Sequence, residues 1–294
     1  MISLSATLDA TLEETDSKRA VLPSPIRTLE LAAWDFDEYG FRPGSLDREK
    51  QERARRLVAG RPSHQAVSAL CDTETTLLRE PFHRQNGRPD LHTEMQGLDW
   101  TFGVVDLRQL LAFQRRLSFN PAVPVVTVPR HDDWDSLLEI AFASPNPVVC
   151  DLIHDAGNKT VLLQSSNPNL HLRVTQDATA PIAVHAGSPF FEVARYAGRW
   201  FLRDGYHRAY TLLRAGIFKL PAVIVKARTL AELGAVQPQF FSERTLLSEH
   251  PPFVRDFLED NLTLAYDRPP TIKTLRVTME ESLAPAIPPE RSGE

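Results

Sequence analysis

Between Gly198 and Val225 the hydrophobic period changes once, abruptly, and that change restricts what the chain can build. Trp200 and Leu202 alternate with Arg199 and Arg203, the period of a strand. From Tyr206 onward, Tyr206, Ala209, Tyr210 and Leu213 recur at i, i+3, i+4 and i+7, the period of a helix. The switch falls at Asp204-Gly205. Asp204 is placed to cap the helix with its carboxylate, and Gly205 lets the backbone turn without a Cβ. Gly216 suits a left-handed stop, with Ile217 as the apolar residue after it, and Pro221 opens the next strand. The sequence therefore predicts strand, tight turn, helix and strand over about 199–225.

The start of that helix carries the chemistry. A helix N-terminus offers N–H donors without intrahelical partners and the positive end of its dipole, a setting that favours an anion. His207 and Arg208 lie in the first turn, outside the apolar stripe. Arginine supplies a planar fork for phosphate oxygens, and histidine donates a hydrogen bond or moves a proton. The alternative is structural: Asp204 as a cap worth about 1 kcal/mol, with Arg208 bridging it at the surface. Spacing alone leaves both readings open.

The remaining sequence frames this segment. Twenty-three prolines among 294 residues favour many short elements over a helical bundle. Residues 45–68 read as an exposed amphipathic helix, 80–98 as an irregular connection, 102–106 as a strand and 107–117 as a helix. A strand follows over 123–128 and a helix through Leu137, Leu138, Ile140 and Ala141, capped by Asp135 or Ser136 and ended by Pro145 and Pro147. A β meander runs from Val148 to Arg203, with its last turn at Ala197-Gly198. The expected organisation is a lead and helical extension (1–98), an α+β core (99–228), C-terminal helices packed on it (229–279) and a disordered tail (280–294).

A net charge of −5 gives no whole-protein attraction to nucleic acid or anionic membrane. Cys71 and Cys150 are too few for a disulfide framework or a closed zinc site, and no spacing of His83, His92 and their neighbouring carboxylates matches a metal-ligand signature. Met1 to Ala10 carries no secretory n-region and no run reaches a membrane span, so the expected location is cytoplasmic.

Asp204-Gly205-Tyr206-His207-Arg208, preceded by the 200–203 strand and followed by Gly216 and the Leu220-Pro221-Ala222-Val223 strand, resembles the ParB/sulfiredoxin-like superfamily. The closer match covers about 30 residues; Val104-Val105-Asp106-Leu107 and Gln114 extend a looser one over 100–228. The resemblance implies a compact mixed-sheet core with flanking helices that binds a nucleoside triphosphate, ATP or CTP, with Mg²⁺. The nucleotide site would comprise Asp204, Gly205, Tyr206, His207 and Arg208: Asp204 would orient the turn, Gly205 would admit the phosphate, and His207 and Arg208 would bind its oxygens. Relatives in that group include CTP-binding partition clamps, an ATP-using sulfinic acid reductase and small-molecule kinases. The reductase carries Cys where this chain has Tyr206, so its nucleophile is missing. The partition proteins carry a helix-turn-helix that residues 229–278 do not clearly spell. A kinase needs an acidic base, for which Glu192 is the candidate beside His207. Three roles follow as expectations: a nucleotide-dependent switch with a DNA or protein partner or a homodimer, a phosphotransferase or nucleotide hydrolase, and a non-catalytic interaction scaffold.

Overall fold

The computed structural model describes residues 24–43, 48–121, 123, 125–144, 148–155, 157–174, 182–185 and 187–283. The first part of the lead, the turn residues Pro145 and Pro147 and most of the expected tail lie outside these. In chain order the elements are β1 (Ile26–Leu31), α1 (Arg48–Ala59), α2 (Asp72–Leu77), α3 (Arg79–Asn86), α4 (Pro89–Glu94), β2 (Trp100–Asp106), β3 (Arg116–Phe119) and α5 (Trp134–Ala141). Then follow β4 (Asp151–Asp155), β5 (Thr160–Ser165), β6 (His171–Val174), β7 (Ile182–His185), β8 (Glu192–Tyr196), β9 (Arg199–Asp204), α6 (Tyr206–Arg214) and β10 (Lys219–Lys226). The chain continues through α7 (Leu230–Leu233), α8 (Glu243–Leu246), a 3₁₀ turn over Val254–Leu258, β11 (Thr263–Arg268) and β12 (Lys273–Thr278). Helices and separate sheets share one molecule, an α+β fold.

The central sheet has the order β2-β10-β8-β9. Strand β10 pairs antiparallel with β2 and parallel with β8, so the sheet is mixed. Its run from Leu220 to Val225 is buried at every position, as an unbroken apolar strand covered on both faces must be. The β8–β9 hairpin turns at Ala197 and Gly198, both at positive φ (48° and 78°), which matches the twist of the flanking strands. Helix α6 then returns the chain to β10. It ends at Gly216 (φ 78°), where the Ile217 N–H reaches back to the Leu212 carbonyl at 2.9 Å.

A second sheet, β11-β1-β3, joins the two ends of the chain. The lead is therefore not loosely held from Ile26 onward: β1 pairs with β11 along its length. The C-terminal region differs likewise from the expected helices. Only α7, α8 and the 3₁₀ turn are helical before β11 and β12, because Leu264, Tyr266 and Arg268 alternate inward along β11. Further strands form the β12-β5-β4 sheet and the β6-β7 ribbon.

Four other expectations are corrected. Residues 107–117 form a helix only as a 3₁₀ turn over Leu107–Gln109. Leu110, Leu111, Ala112 and Phe113 are all buried in succession, which one helix face cannot achieve. Instead the Leu111 N–H donates to the Trp200 carbonyl and the Leu202 N–H to the Leu111 carbonyl, so this stretch runs along β9. Residues 125–128 are irregular rather than strand, with Val125 86% exposed. The 80–98 connection contains α3 and α4, with Phe82, Leu91 and Met95 buried. Helix α5 is capped by Asp133, whose carboxylate accepts the Ser136 N–H at 3.2 Å.

Candidate functional site

The Asp204-Gly205 switch lies where the period change predicts it: β9 ends at Asp204 and α6 begins at Tyr206. The cap, however, is Gly205 in a left-handed conformation (φ 101°), and no side chain caps the helix. The N-cap role expected of Asp204 is thus corrected. A Cβ at Gly205 would come 2.5 Å from the Phe191 ring and 3.1 Å from Arg208 Nε, so both φ and space demand glycine here.

The three side chains of the first turn are committed to the fold. Tyr206 is 4% exposed, sits edge-on to Phe113 and Phe257, and its hydroxyl accepts the Phe113 N–H at 2.9 Å. His207 Nε2 faces the Ser118 carbonyl at 2.8 Å. A carbonyl only accepts, so the proton belongs on Nε2 and Nδ1 is the acceptor. Burial lowers the His207 pKa, with the Ser118 carbonyl opposing and Arg208 assisting, so the ring is neutral at pH 7. Arg208 donates to the carbonyls of Ile140 at 3.1 Å, Pro189 at 2.6 Å and Phe190 at 2.6 Å. It ties the end of α5 and the approach to β8 onto the α6 turn, and burial lowers its pKa although it stays charged.

Behind the turn lies an acid pair that the sequence only half reveals. Glu192 opens β8 directly opposite Asp204 on β9, and the register then slips by one residue. The extra residue is Arg203, which the bulge turns toward Glu192. Glu192 is not the exposed strand carboxylate that its position suggests; it is 1% exposed. Its Oε2 accepts from Arg203, and its Oε1 accepts from Ser188 Oγ at 2.5 Å. Burial raises Glu192 to about 7, against the Arg203 charge and with the Asp204 charge adding to the rise. Asp204 is also raised, by burial first and against Arg208, whose guanidinium is 3.9 Å away. Its side chain keeps 44% of its surface open, so it is the member of the pair that solvent reaches.

Gly205 and Tyr206 are themselves buried, so the group of this turn that solvent reaches is the Asp204 carboxyl. Among the described residues no group of three or more His, Cys, Asp or Glu is arranged to hold a metal ion. A nucleotide-borne Mg²⁺ does not need such a cage, since one or two carboxylates plus phosphate oxygens suffice. Asp204 fits that requirement and Glu192 does not. Among the described residues no helix is long and apolar enough to cross a membrane. Comparison with protein-family models, curated proteins and solved structures finds no match to this chain.

Proposed function

We propose that the chain binds a phosphate-bearing nucleotide, ATP or CTP, at the first turn of α6 and works as a nucleotide-dependent switch or regulatory module in the cytoplasm. The observation that carries this reading is the N-terminus of α6, which no side chain caps, beside a carboxyl that solvent reaches. Phosphate oxygens would be held by the N–H groups of Tyr206, His207 and Arg208, not by an arginine fork, because the Arg208 guanidinium already serves three carbonyls. Arg208 and His207 act one step back by fixing the turn. Asp204 would hold the nucleotide's Mg²⁺, which supplies positive charge to the phosphate oxygens.

A second reading, nucleotide hydrolysis or phosphoryl transfer, rests on Glu192. A carboxyl near pH 7 next to an exposed Asp204 suits proton transfer at neutral pH. In that case Asp204 takes the proton from the attacking hydroxyl or water and Glu192 sets its basicity.

Titration calorimetry with ATP, CTP and GTP plus Mg²⁺ tests the proposal, repeated on Asp204→Asn. Arg208→Ala is a poor control here, because it removes three structural hydrogen bonds. One nucleotide should bind, and the Asp204→Asn substitution should weaken it roughly tenfold, about 1.4 kcal/mol, with an unchanged melting temperature. No heat from any of the three with folded protein would leave the interaction scaffold as the better reading.

A further inference from the structure

A cleft of about 670 Å³ opens between residues 61–67, which follow α1, and residues 249–259, which include the 3₁₀ turn. Its volume falls within the range of about 300–1,000 Å³ common to small-molecule sites. The turn separates it from the α6 site: Phe257 packs on Tyr206, while Phe253, Arg255 and Asp256 line the cleft.

The cleft is built rather than incidental. Asp256 is 1% exposed and receives both terminal nitrogens of Arg61, at 3.1 and 2.8 Å, as well as the Phe253 N–H at 2.9 Å. Arg61 is thereby fixed, yet its side chain remains 30% exposed. The Arg255 guanidinium lies 4.6 Å over the Phe253 ring, and His64 meets the same ring edge-on at 5.6 Å. His64 Nε2 and His250 Nδ1 are shielded from solvent with no hydrogen-bond partner among the described residues. Shielded polar atoms of that kind are rare in native structures and call for a partner. Burial, then the Arg199 charge, lowers the His64 pKa, so its ring is neutral at pH 7.

Charge selects the class of ligand. Arg61 and Asp256 cancel, leaving Arg255, Glu249 and Glu259 as the exposed charges that line the cleft. A polyanion would meet two carboxylates, and a polycation would meet Arg255. A compact ligand carrying one charge of each sign satisfies both. We propose that this cleft binds a small zwitterion of the α-amino-acid class, with its carboxylate on Arg255 and Arg61 and its ammonium on Glu249 or Glu259.

The test is saturation-transfer NMR with the full-length protein and the standard free L-amino acids at millimolar concentration. Their N-acetyl and carboxamide derivatives, and the surface variants Arg255→Gln and Glu259→Gln, complete the set. At least one free amino acid should bind, its two blocked derivatives should not, and Arg255→Gln should weaken binding roughly tenfold or more. The proposal is overturned if no free amino acid binds, if blocked derivatives bind equally well, or if Arg255→Gln changes nothing.

Discussion

Two buried carboxyl clusters sit in this molecule under opposite electrostatic regimes. In the β11-β1-β3 sheet, Glu30 is fully buried and accepts from Arg42 at 3.0 and 2.6 Å, from Arg116 at 2.8 Å and from the Tyr266 hydroxyl at 2.8 Å. Asp37 shares both arginines. Burial alone would raise Asp37, but the hydrogen bonds and charge of Arg116, then those of Arg42 and Arg115, outweigh it and hold the group at about 2. At the β8–β9 bulge the balance reverses. Glu192 has one arginine and one serine, a second acid beside it, and stands near 7. Asp37 is only partly buried and meets several guanidiniums, whereas Glu192 is fully buried with one; both differences keep Asp37 charged and favour the protonated form of Glu192. The saturated cluster is a structural rivet that joins the chain's two ends. The undersaturated one lies beside the helix terminus where a ligand is proposed, the setting in which a perturbed acid has chemical use.

Substitutions on the two sides should separate these roles. The largest effect belongs to Arg116→Ala, which leaves Glu30 and Asp37 to share Arg42 alone; urea unfolding should register a loss of about 3 kcal/mol. Next is Arg208→Ala, expected to cost about 2–3 kcal/mol in the same measurement because three carbonyls lose a charged donor. Tyr206→Phe keeps the ring packing and removes the acceptor shared by the Phe113 and Gln114 N–H groups, so about 1 kcal/mol should be lost.

Glu192→Gln should change stability least and the pH dependence most clearly. Folding raises Glu192 from an ordinary 4.5 to about 7, so the folded state binds more protons across that window. Its contribution is present below pH 4.5 and is lost as pH rises toward 7. In the variant this downward slope should flatten. Asp37 acts in the other direction: its folded value of about 2 lies below an ordinary 3.8, so its contribution is lost as pH falls through that interval. Stability curves of the two proteins, measured from about pH 2 to 8, should therefore coincide in shape on the acid side and diverge above pH 4.5. Curves that stay parallel throughout would remove the proton-store role of Glu192.

The central strand-turn-helix-strand is legible in the sequence because its signals are local. The period switch at Asp204-Gly205, the stop at Gly216 and the all-apolar β10 each follow from neighbours in sequence. Side-chain commitments are not legible, because they are set by distant partners. Nothing near Arg208 announces the carbonyls of Ile140, Pro189 and Phe190, and nothing near Tyr206 announces Phe113. The burial of Glu192 follows from a bulge at Arg203 that no residue type marks. The 110–113 stretch reads as a helix because its apolar residues satisfy that period, yet tertiary bonds to β9 and to the 252–254 segment claim its backbone. Strand β1 escapes the pattern for a related reason: its buried Glu30 interrupts the apolar alternation, and only Arg42 and Arg116 make that burial tolerable.

The most direct test follows the backbone amides of Tyr206, His207 and Arg208 by ¹⁵N-resolved NMR while Mg²⁺-ATP and Mg²⁺-CTP are added in turn. With phosphate oxygens on the main chain of α6, these three amides should show the largest nucleotide-dependent shifts, and Asp204→Asn should diminish them. Saturable shifts centred elsewhere, or none at any concentration with the protein folded, would contradict the assignment of the α6 turn as the phosphate site.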